Sequence, residues 1–189
     1  MNAAADTFPP GVSLLVCVCG GIAAYKVCHV VSYFSQRNVA VRVAMTAEAE
    51  RFVGPMTFEA LSGRPVINNL WEISDASDPQ HINIAQRSTL ILVAPATANI
   101  LAKLCHGIAD DLVSTVLVAA SPERIVLAPA MNEAMWNNPA TQANVRMLSD
   151  RGMTFIGPDS GWQACRTVGA GRMSEPETLI AALAAQLKI

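Results

Sequence analysis

The stretch from Val12 to Phe34, VSLLVCVCGGIAAYKVCHVVSYF, changes its period at Gly20-Gly21. Before the glycines, Val12 to Cys19 is a nearly unbroken apolar run of strand length, too short for the roughly 18 residues that span a bilayer. After them, Ala24, Val27, Val31 and Phe34 recur at helical spacing. The segment therefore reads as strand, tight turn, helix. Working outward, Val39 to Met45 suits a second strand, with Thr46 at its exit and a short helical stretch around Glu48 to Phe52. Thr89 to Ala94 and Arg124 to Ala128 are further apolar runs, each entering a proline-containing loop, and both predict buried central strands. Asp110 and Asp111 precede a capped helix from Leu112 to Ala120, Thr154 to Ile156 is a last short strand, and Pro176 to Leu187 is a closing helix with proline in its first turn. Gly157 to Ser174 is rich in glycine and polar residues and shows no convincing period.

Alternating strands and helices predict an α/β fold with a doubly wound, mainly parallel sheet, because parallel neighbours need a crossover and the helix supplies it. Ligands gather at the carboxyl ends of such strands. The loops after Cys19, Met45, Ala94 and Ala128 are the places to look.

The 189 residues suit a single domain over 12–189, with 1–11 as a disordered leader that has neither the basic cluster nor the apolar core of a signal peptide. A cytoplasmic location is the expectation. Five cysteines without a secretory signal predict reduced thiols and no disulfide framework. A net charge of −2 with mixed signs argues against nucleic-acid binding, since no basic stripe is present to neutralise phosphates. No membrane span and no metal site are expected.

At the first turn, Gly20 and Gly21 let the backbone approach a ligand at a helix N-terminus, where free N–H groups favour phosphate. Its spacing fits neither a dinucleotide fingerprint nor a P-loop, and a plain tight turn explains it equally well. Thr46, Thr97 and Asn99 are short polar groups at the same edge, and each also suits a cap or turn. By periodicity, Pro129 to Trp136 is a loop leading into a helix, with Asn132 as its cap and Met135 and Trp136 in the core. His81 reads as a surface histidine or a proton-transfer group. Cys165 lies in the glycine-rich segment, where a thiol has no packing reason to be, and is the better candidate for reactivity. Cys17 and Cys19 share one face of a buried strand, which favours packing over metal binding. Cys28, His29, Cys105 and His106 are assigned to packing or surface.

Four blocks occur in order: Gly20 to Lys26 (GGIAAYK), Ala94 to Asn99 (APATAN), Pro129 to Trp136 (PAMNEAMW) and Gly157 to Met173 (GPDSGWQACRTVGAGRM). Together they resemble the homo-oligomeric flavin-containing cysteine decarboxylases, over almost the whole chain from Val12 onward. The resemblance implies a flavodoxin-like or Rossmann-like three-layer sandwich with FMN as cofactor. It puts the FMN phosphate at Gly20, Gly21 and Ile22, with further contacts from Thr46, Thr97, Ala98, Asn99 and Ala130. His81, Asn132 and Cys165 match the active-site histidine, the carboxylate-binding asparagine and the proton-donating cysteine of a flap, and Met131 joins Asn132 and Cys165 on the substrate. The implied reaction converts phosphopantothenoylcysteine to 4'-phosphopantetheine in coenzyme A biosynthesis, by flavin oxidation to a thioaldehyde, loss of CO2 and re-reduction. The implied assembly is a homotrimer or a dodecamer of trimers. A peptidyl-cysteine decarboxylase, a flavin prenyltransferase and a non-catalytic flavin-binding regulator are the alternatives. Two positions depart from the usual family pattern: Gln80 stands where glycine often precedes the histidine, and Arg166 where glycine commonly follows the flap cysteine.

Overall fold

A computed structural model describes residues 7–70 and 80–188, with positions 80 and 81 described by their backbone alone. The opening strand β1 (Ser13–Val18) is buried on both faces, which accounts for its continuous apolar sequence. Its side chains alternate between two cores. Leu14, Val16 and Val18 point into one, while Leu15 and Cys17, with Cys19 just beyond the strand, point into the other. The chain continues through α1 (Ala24–Ser35), β2 (Ala40–Met45), α2 (Pro55–Ser62), α3 (Gln80–Arg87), β3 (Leu90–Ala96), α4 (Ala98–His106), α5 (Leu112–Ala119) and β4 (Ile125–Pro129). There follow α6 (Glu133–Trp136), α7 (Pro139–Asp150), β5 (Thr154–Phe155), a pair β6 (Asp159–Trp162) and β7 (Val168–Arg172), and α8 (Pro176–Leu187).

Five parallel strands form the main sheet in the order β2-β1-β3-β4-β5. The first core packs α1, Phe58 of α2 and α8 on one face, and the second packs Ile84 of α3, α4, α5 and Leu148 of α7 on the other. The expected α/β three-layer arrangement is therefore present. Because β2 lies to one side of β1 and β3 to the other, the loops leaving β1 and β3 diverge, and a crevice opens between them.

Four helices, α2, α3, α4 and α7, fall where the period was not read. The α2 helix carries proline at its start and ends at Gly63, α4 is capped by Thr97 and ends at Gly107, and α7 is capped by Asn138. Gly63 and Gly107 both have φ of +67°, the left-handed turn that stops a helix. The larger correction concerns Gly157 to Ser174. This segment contains the antiparallel β6–β7 hairpin, which stands outside the main sheet. β6 is largely exposed, and the positions that alternate into burial on β7 are Gly169 and Gly171, which carry no apolar side chain to mark a strand period.

Candidate active site

The carboxyl ends of β1, β2, β3 and β4 surround a cleft of about 770 Å³, and the β6–β7 hairpin leans over it. That volume is in the range of small-molecule and cofactor sites. The floor begins at Gly20, where a Cβ would overlap that of Glu48, so only glycine lets the β1–α1 turn pass so close to the loop after β2. No side chain caps α1, and among the described residues the N–H groups of Gly21 and Ile22 have no hydrogen-bond partner. An uncapped helix start with free N–H groups on a cleft has the donors that a phosphate would need. Thr46 and Thr97 sit at the same edge, and their hydroxyl oxygens accept from Ala49 N–H at 3.2 Å and Ile100 N–H at 3.3 Å. Both hydroxyls keep a proton to donate, so they are caps and remain able to bind a ligand. Ala98, Asn99 and Ala130 complete that wall.

Asn132 and Met131, next to Ala130 in the loop after β4, line the cleft as well. The Asn132 Oδ1 accepts from Met135 N–H at 2.8 Å, so the asparagine caps α6 as its sequence suggested, and this bond fixes which end of the amide is free. The core assignment of the two following residues is corrected: Met135 is 46% exposed and Trp136 is only half-buried, because α6 is a single turn on the rim of the cleft.

Cys165 also faces this cleft, at the turn of the hairpin. The turn is closed by Arg166 N–H on Gln163 O at 2.9 Å and Gln163 N–H on Thr167 O at 2.8 Å. Arg166 has φ of +66°, a left-handed conformation that favours glycine, at the very position where the chain departs from the family pattern. Gln163, 7% exposed, ties the hairpin down: its Nε2 donates to Ala170 O at 2.7 Å and its Oε1 accepts from Glu133 N–H at 3.2 Å. The Met131 N–H donates to Gly171 O at 2.9 Å, and a Cβ on Gly171 would overlap the Met131 carbonyl. The flap is thus anchored to the same loop that carries Asn132.

Charged groups frame the site. Lys26 lines the cleft and pairs with Glu175 at 3.0 Å, while Arg172 reaches the same carboxylate from β7. The Lys26 hydrogen bond holds the Glu175 carboxyl below its ordinary value. Lys103 lies between Asp110 and Asp111, 2.6 Å from each, and Asp111 opens onto the cleft. Burial first, and then the negative Asp111, push the Cys19 thiol up to about 12. Burial likewise raises Cys17. Both therefore stay neutral and serve as packing. Among the described residues no cluster of His, Cys, Asp and Glu is arranged to hold a metal ion, and no helix is long and apolar enough to cross a membrane.

Apart from His81, whose side chain lies outside the described residues at the start of α3, every site residue expected from the sequence lines this one cleft. Sequence reading missed Lys26, Gln163, Thr167 and the ligand-facing side of Asp111. Asp111 was legible only as a cap, and a buried glutamine in a glycine-rich segment carries no local signal.

The family model described as Flavoprotein matches residues 5–188. The chain belongs to the Flavoprotein family. Within that family, it is 45% identical over 168 residues to the coenzyme A biosynthesis bifunctional protein CoaBC of Bacillus subtilis (strain 168), covering 89% of this chain and 41% of that protein. The corresponding Escherichia coli (strain K12) protein is 41% identical over 170 residues, covering 90% and 42%. This Flavoprotein chain therefore spans about two fifths of the length of these curated relatives. Among solved structures, a mutant PPC decarboxylase complexed with pantothenoylaminoethenethiol superposes with a TM-score of 0.84 at 26% identity, covering 91% of this chain and 96% of that one. The FMN-dependent cysteine decarboxylase SpaF gives 0.75 at 33% identity, covering 92% and 97%.

Proposed function

We propose that this protein is a cytoplasmic, FMN-dependent carbon–carbon lyase that decarboxylates phosphopantothenoylcysteine to 4'-phosphopantetheine in coenzyme A biosynthesis. The observation that carries this reading is the meeting, in one cleft, of an uncapped helix N-terminus, the oriented amide of Asn132 and the flap thiol of Cys165. The Gly20–Gly21–Ile22 turn would hold the FMN phosphate, and Thr46, Thr97, Ala98, Asn99 and Ala130 the rest of the cofactor. Direct loss of CO2 from an amino-acid carboxylate leaves a carbanion with no place to delocalise; bound FMN supplies reversible two-electron oxidation of the substrate's thiol-bearing carbon, which creates that place.

The chain's own residues do the remainder. Because Asn132 Oδ1 is occupied by Met135 N–H, its Nδ2 group is the end presented to the substrate carboxylate. An uncharged donor orients the carboxylate without stabilising it as strongly as arginine would, so its departure as CO2 stays accessible. Cys165 hands a proton to the decarboxylated product, with Met131 beside it on the substrate. Trp162 and Met135 cover the cleft with apolar surface and exclude water from the reacting carbon. A proton-transfer part for His81 rests on the resemblance alone.

Ile22, Tyr25, Trp162 and Val168 expose 59%, 60%, 62% and 70% of their surface around the cleft and its flap. We assign this apolar rim to contacts between copies of the chain, in a homotrimer or a dodecamer of trimers. SpaF, at 33% identity, is a cysteine decarboxylase as well, and a second reading of this site is decarboxylation of a peptide's C-terminal cysteine. The deciding experiment incubates the FMN-loaded protein with phosphopantothenoylcysteine and with a cysteine-terminated peptide, and identifies products by mass. CO2 release from the former alone supports the proposal; release from the peptide alone, or from neither, overturns it.

A further inference from the structure

The thiol of Cys165 is held by a neighbour to which no role has been given. Its Sγ lies 3.0 Å from Thr167 Oγ1 and 3.5 Å from Gln163 Oε1. The left-handed backbone at Arg166 accounts for the first contact, because it closes the turn so that the residues on either side of it meet. The Thr167 carbonyl is bound by Gln163 N–H at 2.8 Å, so Thr167 is fixed in the turn. Gln163 is itself locked to β7 and α6 through Ala170 and Glu133. Its amide oxygen can only accept, so the S–H points to Gln163 and the Thr167 hydroxyl donates to sulfur.

We infer that Thr167 is the positioning residue for the Cys165 proton donor: its hydroxyl fixes the thiol rotamer over the cleft and donates to the sulfur as the proton leaves. The inference rests on the decarboxylase reading for the step concerned. In that step the Cys165 S–H bond breaks, its proton passes to the substrate, and its electron pair stays on sulfur. The resulting thiolate then keeps one hydrogen-bond donor, the Thr167 O–H, and recovers its proton from water. Gln163 cannot take that part, since its nearby atom is an acceptor and its amide nitrogen is committed to Gly169 and Ala170 carbonyls. A donor to an ionised sulfur is stronger than one to a neutral thiol, so the contact favours the state formed after proton transfer.

The test compares Thr167→Val, which keeps the side-chain shape and removes the hydroxyl, with Thr167→Ser, which restores it. Both are made in the FMN-loaded full chain. Two readouts are taken: the ratio of unreduced enethiol to reduced product among the molecules that have lost CO2, and the rate at which iodoacetamide alkylates Cys165 at fixed pH, followed by peptide mass. For Thr167→Val the enethiol fraction should rise, and alkylation should slow by about tenfold, the effect of one hydrogen bond to an ionised group. Thr167→Ser should return both toward wild type. Thr167→Val matching wild type in both readouts would overturn the inference. So would equal losses of CO2 release and of reduction with alkylation unchanged, which is the pattern of a merely loosened hairpin. If wild type releases no CO2 from any cysteine substrate, the decarboxylase reading fails, and the alkylation comparison still decides whether Thr167 acts on the thiol.

Discussion

The amide of Asn132 is divided between two tasks, with Oδ1 fixed to Met135 N–H at 2.8 Å and Nδ2 left for a ligand. Aspartate in its place keeps an acceptor for the cap and replaces the donor by a negative charge. Asn132→Asp should therefore leave stability within about 0.5 kcal/mol of wild type, as expected when one good cap replaces another. Turnover should drop by about 100-fold or more through like-charge repulsion with the substrate carboxylate. Urea denaturation and steady-state kinetics separate the two effects; unchanged turnover would remove Asn132 from the site. The cysteines divide in a related way. Cys17 and Cys19 are buried, and their thiols are raised by desolvation, whereas Cys165 is exposed on the flap. Iodoacetamide on the native protein should label Cys165 and spare Cys17 and Cys19, which should react only after denaturant is added. Labelling of Cys19 at the rate of Cys165 would contradict its assignment to the core. Sequence could rank Cys165 first among the thiols because a glycine-rich segment gives sulfur nothing to pack against. It could not find Thr167 or Gln163, whose relevance depends on how the turn closes.

The β6–β7 hairpin and the first turn of α8 meet at the edge of the site. Arg166 occupies a left-handed position there, φ of +66°, at a cost of about 1 kcal/mol relative to glycine. Arg166→Gly should therefore raise stability by up to about 1 kcal/mol, partly offset by the greater freedom of glycine in the unfolded chain. Thermal unfolding measures the net effect, and a clear loss of stability would mean that the guanidinium makes a stabilising contact. At the base of the hairpin, Glu175 joins Lys26 of α1 to Arg172 of β7. Its carboxyl is held below the ordinary 4.5, chiefly by the Lys26 hydrogen bond. A depressed carboxyl stabilises the fold above its unfolded pKa, and that contribution is lost as pH falls through the folded one. Glu175→Gln should thus be less stable than wild type at pH 7, by less than about 1 kcal/mol because the carboxylate is partly exposed. The gap should narrow and close as pH falls below 4.5. A gap of constant size from pH 7 to pH 3 would show that the charge is not what Glu175 contributes.

At the scale of the molecule, the cleft lies where the order β2-β1-β3-β4-β5 forces neighbouring loops apart, and its rim is more apolar than a solvated surface needs to be. Sedimentation should therefore find an assembly of several copies. Replacing Val168, which is 70% exposed and does not line the cleft, by aspartate should shift it toward smaller species; a wild-type protein that stays monomeric at micromolar concentration would overturn the assigned interface. The period change at Gly20, the two-faced burial of β1 and the capped α5 were all readable along the chain, because each is a local pattern of polarity or a cap within a few residues of the element it starts. The residue types to which the proposed function gives phosphate, carboxylate and proton-transfer roles were readable for the same reason. The hairpin was not, since β6 is largely exposed and the buried positions of β7 are glycines that leave no apolar period, and neither were the contacts that make the cleft one site. Lys26 meets Glu175 across 149 positions, and Met131 meets Gly171, because the antiparallel hairpin outside the main sheet folds back over the loops at the carboxyl ends of the parallel strands. Sequence alone therefore determined the sheet, its handed order of strand and helix, and which side chains have the chemistry. Tertiary structure decided that they share a cleft and which neighbours hold them, because such contacts follow from packing between distant segments and have no signature in the residues between.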